Sequence, residues 1–345
     1  MRRSALVLAA LLLGAPAYAD IAKPADTKPA DTKSAPPPVT ATPAMWTVKS
    51  ATATVYLLGS FHELPKNVDW HTDQIKTAIK TAQAFVFEVP MDKDDQTRAG
   101  AIMGANMLLP MDVSLPSFFD DEMRDNYRQV IMTYQIDPQW VVYMRPWLAS
   151  LYLEGAASGL TGMRLENGVD NVVYREAAAR GVKDFRAFET HDMHIQLYTT
   201  GLGNPDGELA ELRAVLAEMV KHKPDDKGLL AAWEKGDIKT LTASGPDNPQ
   251  MSAEAKKVML DDRNKAWIPQ IQAMLKEKRT ILITVGAAHL VGKGGVPNLL
   301  RAAGYRVDGP DNVTAAAVPA PAPKPASAPA RKTAAMTPML REASK

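Results

Sequence analysis

The sequence predicts an α/β protein with a central, largely parallel sheet, flanking helices and helical insertions. Three short apolar runs, at residues 54–58, 85–89 and 280–285, are rich in β-branched and aromatic residues and have the composition of buried strands. Between the first two runs, residues 73–79 place apolar side chains at helical spacing. A strand, a helix and a second strand in this order predict a parallel crossover unit.

The last part of the folded region is predicted to complete the sheet. Residues 296–303 form a helical pattern with proline near its start and Gly304 at its end, and residues 305–307 follow as a short strand. Most of residues 92–165 and 190–275 are predicted to be helical insertions.

Composition limits the kinds of chemistry available. Of the 345 residues, 46 % are hydrophobic and 23 % charged, so the chain can bury a sizeable core. The net charge of +1 gives no overall field that would attract nucleic acid or an acidic membrane, and we predict no nucleic-acid partner. Because the chain has no cysteine, only His, Asp and Glu remain as plausible protein ligands for a metal.

Both ends of the chain differ in composition from the middle. Residues 1–19 combine a basic start, an apolar run and an Ala-Tyr-Ala site, which predicts a cleaved signal peptide and a periplasmic or secreted protein. The apolar run is too short to span a membrane, so no membrane span is expected. Residues 20–44 and 309–345 are rich in Pro and Ala and are predicted to be a linker and a disordered tail, leaving a folded domain at 45–308.

The residues that follow the predicted strands carry the functional signal. The first strand leads into Gly59-Ser60-Phe61-His62 and a later one into Gly286-Ala287-Ala288-His289, while Glu88 lies near the end of another. Ligands of parallel sheets bind outside the carboxyl ends of the strands, so His62, Glu88 and His289 are expected at one edge.

Two kinds of chemistry suit these three side chains. Two imidazoles and a carboxylate can hold a divalent metal and leave positions open for water, whose pKa the metal lowers. Without a metal, a His and a Glu can act as base and acid. A third reading is structural, because a single histidine at a strand end often serves only as a hydrogen-bonding partner.

The other histidines are predicted to lie outside the site. His191 and His194 have the spacing of a chelating pair on one helix face, but we expect an exposed first helical turn with Thr190 as its N-cap. His71 and His222 lie in polar surroundings and are predicted to be surface residues.

Arg263 and a glycine-rich turn each have two interpretations. Arg263 could clamp a carboxylate or phosphate, or it could form an exposed ion pair with Asp262 or Glu277. Residues 292–295, Gly-Lys-Gly-Gly, could bind an anion but lack the spacing of a P-loop, so we interpret them as a turn.

Several longer motifs resemble a known family. The segments YLLGSFHELP, FVFEVP, ENGVDNVVYREAAARGVKDFRAFET and LDDRNKAWIPQIQAMLKEKRTILITVGAAHLVGKGGVPNLLRAAGYRV resemble the TraB/PrgY/GumN family, which includes the TIKI Wnt-inactivating proteases. The resemblance covers about residues 46–307, and its C-terminal block is the most specific part.

The resemblance implies a fold like that of erythromycin esterase and the ChaN haem-binding proteins. It also implies an active centre formed by His62, Glu88 and His289, and the RN motif implies an active-site arginine at Arg263. Gly168-Val169-Asp170 and Glu189 match the family's middle motifs, where a structural role is as plausible as a chemical one. His194 stands where the family pattern suggests Gln.

Taken together, the sequence predicts an exported, divalent-metal-dependent hydrolase, either a peptidase or a related amide or ester hydrolase. His62, Glu88 and His289 would bind Mn, Co or Zn or act as acid and base, and Arg263 would orient the substrate or stabilise negative charge. The expected partner is a peptide or small-molecule substrate. The alternative is a non-catalytic envelope protein of the same fold that binds a peptide, haem or a metal.

Overall fold

The structure is a computed structural model that describes residues 38–92, 107–160, 162–197, 205–221, 226–249, 251 and 253–310. The predicted signal peptide, the C-terminal tail from residue 311 and His222 lie outside the described residues. In the part of the chain that is described, no helix is both long and apolar enough to cross a membrane.

A six-stranded mixed sheet forms the centre of the fold. Its strands are β2 (Met45–Lys49), β3 (Thr54–Ser60), β5 (Ala84–Phe87), β6 (Phe185–Ala187), β7 (Thr280–Gly286) and β8 (Val307–Asp308), and β1 (Val39–Thr40) and β4 (Val68–Asp69) form a separate parallel pair. The order across the sheet is β6-β5-β7-β3-β2-β8. Strands β6, β5, β7 and β3 are mutually parallel, and β2 is antiparallel to both of its neighbours, β3 and β8. The predicted α/β class with a central, largely parallel sheet is confirmed.

The strand register brings the two Gly-x-x-His segments together. β3 and β7 pair from Thr54 opposite Thr280 to Ser60 opposite Gly286, so both strands end at the same level. Gly59 permits this close approach, because a Cβ atom there would lie 3.2 Å from the Cβ of Ala287. β5 flanks the other side of β7, so all three strands point their carboxyl ends to one edge.

Helices cover the sheet and build the insertions. They are α1 (Asp73–Thr81), α2 (Asp121–Thr133), α3 (Pro146–Leu160), α4 (Val169–Ala179), α5 (His191–Gln196), α6 (Pro205–Lys221), α7 (Asp226–Glu234), α8 (Ile238–Ser244), α9 (Ala253–Lys256), α10 (Asp262–Met274) and α11 (Val296–Ala302). A π-helical turn, Lys257–Asp261, leads into α10, and short 3₁₀ turns occur at Leu115–Phe118, Pro138–Trp140, Leu165–Asn167 and Ala287–His289.

The predicted helix ends agree with their local chemistry. The Thr72 side chain accepts a hydrogen bond from Ile75 N at the start of α1. At the end of α11, Gly304 has φ +89°, the left-handed conformation that favours glycine after a helix.

Two hydrophobic cores meet near the carboxyl edge of the sheet. One core contains the inner faces of the strands with α1, α4, α7 and α10. The other contains α2, α3 and α6, and it includes Met259, Leu260 and Ala288 from the segments that lead to Arg263 and His289. The strand ends are therefore covered by the helical insertions and lie inside the protein.

Two boundaries differ from the sequence prediction. Val39–Thr40, placed in the linker, form β1 and pair with β4, and Ala41 is buried in the sheet core. Strand β5 ends at Phe87, so Glu88 lies just after the strand.

Candidate functional site

The structure places the predicted site residues at the carboxyl edge of the sheet, where they form two neighbouring groups. His62, Glu88 and His289 are all buried, with exposed fractions of 3 %, 2 % and 0 %. Glu88 and His289 lie together with Arg263, and Glu88 Oε2 is 3.7 Å from His289 Nε2. His62 contacts Asp170, for which the sequence left a structural and a chemical role equally plausible.

A glycine brings Asp170 to His62. Gly168 caps α4, and a Cβ atom at this position would lie 1.9 Å from the carbonyl oxygen of His62. The backbone N–H of Val169 donates to Phe61 O at 3.0 Å, which fixes the helix start against the Gly-x-x-His segment. Asp170 is the next residue, so the helix start delivers its carboxylate to the imidazole.

His62, Asp170 and Ser60 form a buried polar group. His62 Nδ1 lies 2.6 Å from Asp170 Oδ2, and the Ser60 hydroxyl donates to the same carboxylate oxygen. A carboxylate only accepts hydrogen bonds, so His62 Nδ1 carries a proton and donates it to Asp170. In the neutral ring, Nε2 is then the basic nitrogen.

The second group contains two acids from adjacent strand ends. Glu88 follows β5, Glu189 follows β6, and Glu189 N donates to Glu88 O at 2.9 Å. Glu88 Oε1 accepts from the backbone N–H of Gly286 at 2.6 Å, which ties this acid to the start of the second Gly-x-x-His segment. Two buried carboxylates side by side can both stay ionised only with a cation between them.

Arg263 supplies that cation. It lies in the first turn of α10, directly after the π-helical turn, and only 6 % of it is exposed. Each of its five N–H groups faces a protein oxygen or nitrogen, and four of these atoms are acceptors; the fifth, His194 Nε2, also lies 2.6 Å from Glu189 Oε2 and cannot accept from Arg263 while it donates to that carboxylate. The contacts are Nε with Glu189 Oε1 (2.8 Å), Nη1 with Met259 O (3.0 Å) and His289 Nε2 (3.1 Å), and Nη2 with Glu88 Oε2 (2.6 Å) and His194 Nε2 (2.9 Å).

The exposed ion pair considered for Arg263 is therefore wrong. Asp262 pairs with Lys257 instead, and Glu277 pairs with Arg186. Sequence alone could not decide between these partners, because all of Arg263's charged neighbours are more than 60 residues away in the chain.

The protonation state of His289 follows from its neighbours. Asn264 uses its side-chain N–H to donate to Gly294 O at 2.9 Å, so its oxygen faces His289 Nδ1 at 2.6 Å. Nδ1 must then carry the proton, and Nε2 accepts from Arg263. Burial lowers the pKa of His289 well below its usual value, and the positive charge of Arg263 lowers it further. The turn at 292–295 is confirmed as a turn, and it anchors this network through Gly294.

The charges of the cluster reinforce one another. Burial alone would raise the pKa of Glu189, but hydrogen bonds and charge from His194 and Arg263 outweigh it and bring this pKa to about 2. Burial would also lower the pKa of Arg263, yet Glu88 and Glu189 raise it above its usual value. The indole N–H of Trp267 donates to Glu189 Oε1 at 2.8 Å, and its ring lies 5.3 Å from the guanidinium of Arg263.

The prediction for His191 and His194 was partly wrong. Thr190 caps α5 as expected, because its hydroxyl accepts from Met193 N at 3.2 Å. Both histidines are buried, however, and His194 Nε2 lies 2.6 Å from Glu189 Oε2. The sequence signal for His194 was its three-residue spacing from His191, which is that of a pair on one helix face. The sequence prediction placed that face in solvent, and this part was wrong.

His71 lies apart from this edge. It is half-buried, stacked on Trp70, and its ring nitrogens lie 3.2 Å from Asp69 Oδ1 and 3.1 Å from Glu176 Oε1. Hydrogen bonding to Glu176 raises the pKa of His71 against the effect of burial.

The predicted metal ligands do not fit a metal ion in the arrangement that the structure shows. The inward-facing donors of Glu88 and His289 both contact the guanidinium of Arg263, a permanent cation. Among the described residues, no group of three or more His, Asp or Glu side chains is placed to hold a metal. Metal binding therefore stays a prediction, and the reaction proposed for this protein uses no metal.

Comparison with known proteins places this chain in a family. The protein is 23 % identical to the uncharacterized protein YbaP of Escherichia coli (strain K12) and to that of Shigella flexneri. Each alignment spans 246 residues, 71 % of this chain and 87 % of the relative. No solved structure matches the chain, so the erythromycin esterase/ChaN-like fold stays a prediction. The TraB/PrgY/gumN family matches residues 44–309, and the chain belongs to this family.

Proposed function

We propose that this protein hydrolyses amide or ester bonds and that His62, held by Asp170, is its acid–base group. The observation that carries the proposal is the 2.6 Å contact between His62 Nδ1 and Asp170 Oδ2, with both side chains buried at the ligand-binding edge of a parallel sheet. A buried carboxylate that fixes the tautomer of a histidine is the arrangement that hydrolases use to activate a nucleophile.

The reaction follows from the tautomer. His62 Nε2 accepts a proton from water while the water oxygen forms a bond to the substrate carbonyl carbon. The imidazolium that forms is stabilised by the carboxylate of Asp170. The same proton then passes from Nε2 to the leaving nitrogen or oxygen as its bond to carbon breaks. Proton transfer of this kind contributes about 10²–10⁴-fold to a rate.

In this proposal the Arg263 cluster has an electrostatic and positioning role. Its positive charge, held at a water-poor edge, favours the negative charge that develops on the substrate carbonyl oxygen. All five N–H groups of Arg263 already face protein atoms, so a substrate oxygen would have to replace one of these contacts. Both ring nitrogens of His289 are engaged, so His289 positions Arg263.

The proposal also includes export through a signal peptide at residues 1–19. The support for export is the basic start, apolar run and Ala-Tyr-Ala site. Intact-mass measurement of envelope-fraction protein should give a chain that begins at Asp20. Full-length protein recovered from the cytoplasm would contradict export.

Hydrolysis is tested with a panel of fluorogenic peptides and esters, in the presence and absence of EDTA. The wild-type protein and the His71→Ala variant should turn over the same members of the panel, and His62→Ala should lose at least about 10²-fold in rate. His71→Ala is the matched control because this histidine also contacts carboxylates but lies away from the edge. Turnover that depends on added Mn, Co or Zn would favour the metal-dependent hydrolase. Absence of turnover, with peptide or haem binding that His62→Ala abolishes, would favour the binding protein.

A further inference from the structure

Arg263 occupies the centre of a set of four side chains, two Glu and two His, that are of the types that bind metals. Glu88 Oε2 lies 3.7 Å from His289 Nε2 and 3.9 Å from His194 Nε2, and the latter nitrogen lies 2.6 Å from Glu189 Oε2. Two donors that share one zinc ion about 2 Å from each can be at most about 4 Å apart. Each Glu88–His distance is therefore one that a small cation could bridge, although the four described side chains are not placed around a common point while the guanidinium lies between them.

The guanidinium already contacts the same side chains. Its Nη2 group lies between Glu88 and His194, its Nη1 group contacts His289, and its Nε group contacts Glu189. A guanidinium is larger than a metal ion and cannot share this space with one without moving. Like charges would also repel across such a short distance.

The surroundings keep Arg263 in place. Met259 O, in the π-helical turn, accepts from Nη1 at 3.0 Å, and the ring of Trp267 lies against the guanidinium. Trp267 is one helical turn after Arg263 in α10, so the helix itself holds both parts of this contact. π-helical turns are often found at functional sites, and here the turn supplies the backbone acceptor for Nη1.

We propose that Arg263 is the resident cation of this edge, so that the wild-type protein binds no divalent metal at Glu88 and His289. Removing the guanidinium leaves two buried carboxylates and two imidazoles without their cation, and this set then binds a divalent ion. The inference concerns the occupant of the cluster and does not rest on the proposed hydrolysis.

The experiment is a titration of chelator-treated, full-length protein with Zn²⁺ by calorimetry, checked by elemental analysis. Arg263→Ala should bind about one equivalent more than the wild-type protein, and Arg263→Lys, which keeps a positive charge, should bind no more than the wild type. Adding Glu88→Gln to Arg263→Ala should remove the extra equivalent. Surface sites such as His71 are the same in every variant, so the difference reports the cluster alone.

Two results would overturn the inference. One is a wild-type protein that binds Zn²⁺ and loses that binding in His289→Ala, because the metal would then bind in the presence of Arg263. The other is an Arg263→Ala variant that is folded by circular dichroism and binds no extra Zn²⁺. If Arg263→Ala does not fold, Arg263→Ala combined with Glu189→Gln removes one buried charge and repeats the test, and the wild-type titration decides independently of both variants.

Discussion

Gly168→Ala is the smallest change that should separate Asp170 from His62. The new Cβ atom would lie 1.9 Å from the carbonyl oxygen of His62, whereas ordinary contact between these atom types needs about 3.2 Å. The start of α4 must therefore move by about 1.3 Å. The backbone at Gly168, with φ −57° and ψ 146°, is one that alanine adopts without strain, so the effect of the substitution is steric.

A shift of that size would lengthen the 2.6 Å contact between His62 Nδ1 and Asp170 Oδ2 beyond hydrogen-bonding distance. Overpacking of this kind costs about 1–3 kcal/mol. Urea unfolding measures the free energy, and long-range ¹H–¹⁵N spectra of the imidazole show whether Nδ1 of His62 still carries its proton.

Gly155→Ala is the matched control. This glycine lies inside α3, and a Cβ atom there meets nothing within 4 Å. Alanine should stabilise the helix by about 0.5–1 kcal/mol. The reasoning is refuted if Gly168→Ala is as stable as the parent or keeps the Nδ1 proton of His62 unchanged.

Three further predictions concern Glu189, Trp267 and His71. The folded-state pKa of Glu189 is about 2, against 4.5 when unperturbed, so its ionisation adds about 3 kcal/mol to the free energy of unfolding above pH 4.5, and this is lost as the pH falls toward 2. Glu189→Gln should flatten the loss of stability at acid pH in urea titrations, and an unchanged pH dependence would contradict the lowered pKa. Trp267→Phe should lower the free energy of chemical unfolding by about 1.5–3 kcal/mol because its indole N–H donates to the Glu189 carboxylate. Trp46→Phe, whose indole donates to a backbone carbonyl, should lower it less, and equal losses would contradict an ionised Glu189. The pKa of His71 is raised in the folded protein, chiefly by Glu176 and also by Asp69, so its stabilising contribution is present below pH 6.5 and is lost as the pH rises through the folded value. Glu176→Gln should reduce this slope in thermal unfolding, and an unchanged slope would refute the assignment.

Four strands of the sheet, β3, β5, β7 and β8, could be predicted because their signals are local, whereas β2 and β6 were not predicted. The apolar runs at 54–58 and 280–285, each followed by Gly-x-x-His, indicate parallel strands whose ends meet, and the register of β3 with β7 confirms this. The N-terminal strand β1 was missed because two residues after a Pro-rich segment carry no periodicity.

The partners within the site depend on contacts between distant segments. His62 and Asp170 are 108 residues apart, and nothing in their spacing shows that Gly168 allows α4 to approach the strand end. His194 was excluded because no partner for it was visible in the sequence and because the family pattern suggests Gln at its place, although the fold buries it against Glu189 and Arg263. In a sequence, polar residues that hydrogen-bond to one another in a buried cluster cannot be distinguished from polar residues that face water.

The most direct test of the account compares wild-type protein with Asp170→Asn after chelator treatment, on a peptide or ester that the wild type hydrolyses. The variant keeps a side chain that can accept the hydrogen bond from His62 but removes the negative charge that stabilises the imidazolium. We predict that wild-type turnover survives chelation and that the variant loses about 10²–10⁴-fold in kcat with little change in KM. Equal kcat values for the two proteins, or no turnover by the wild-type protein on any member of the panel, would contradict it.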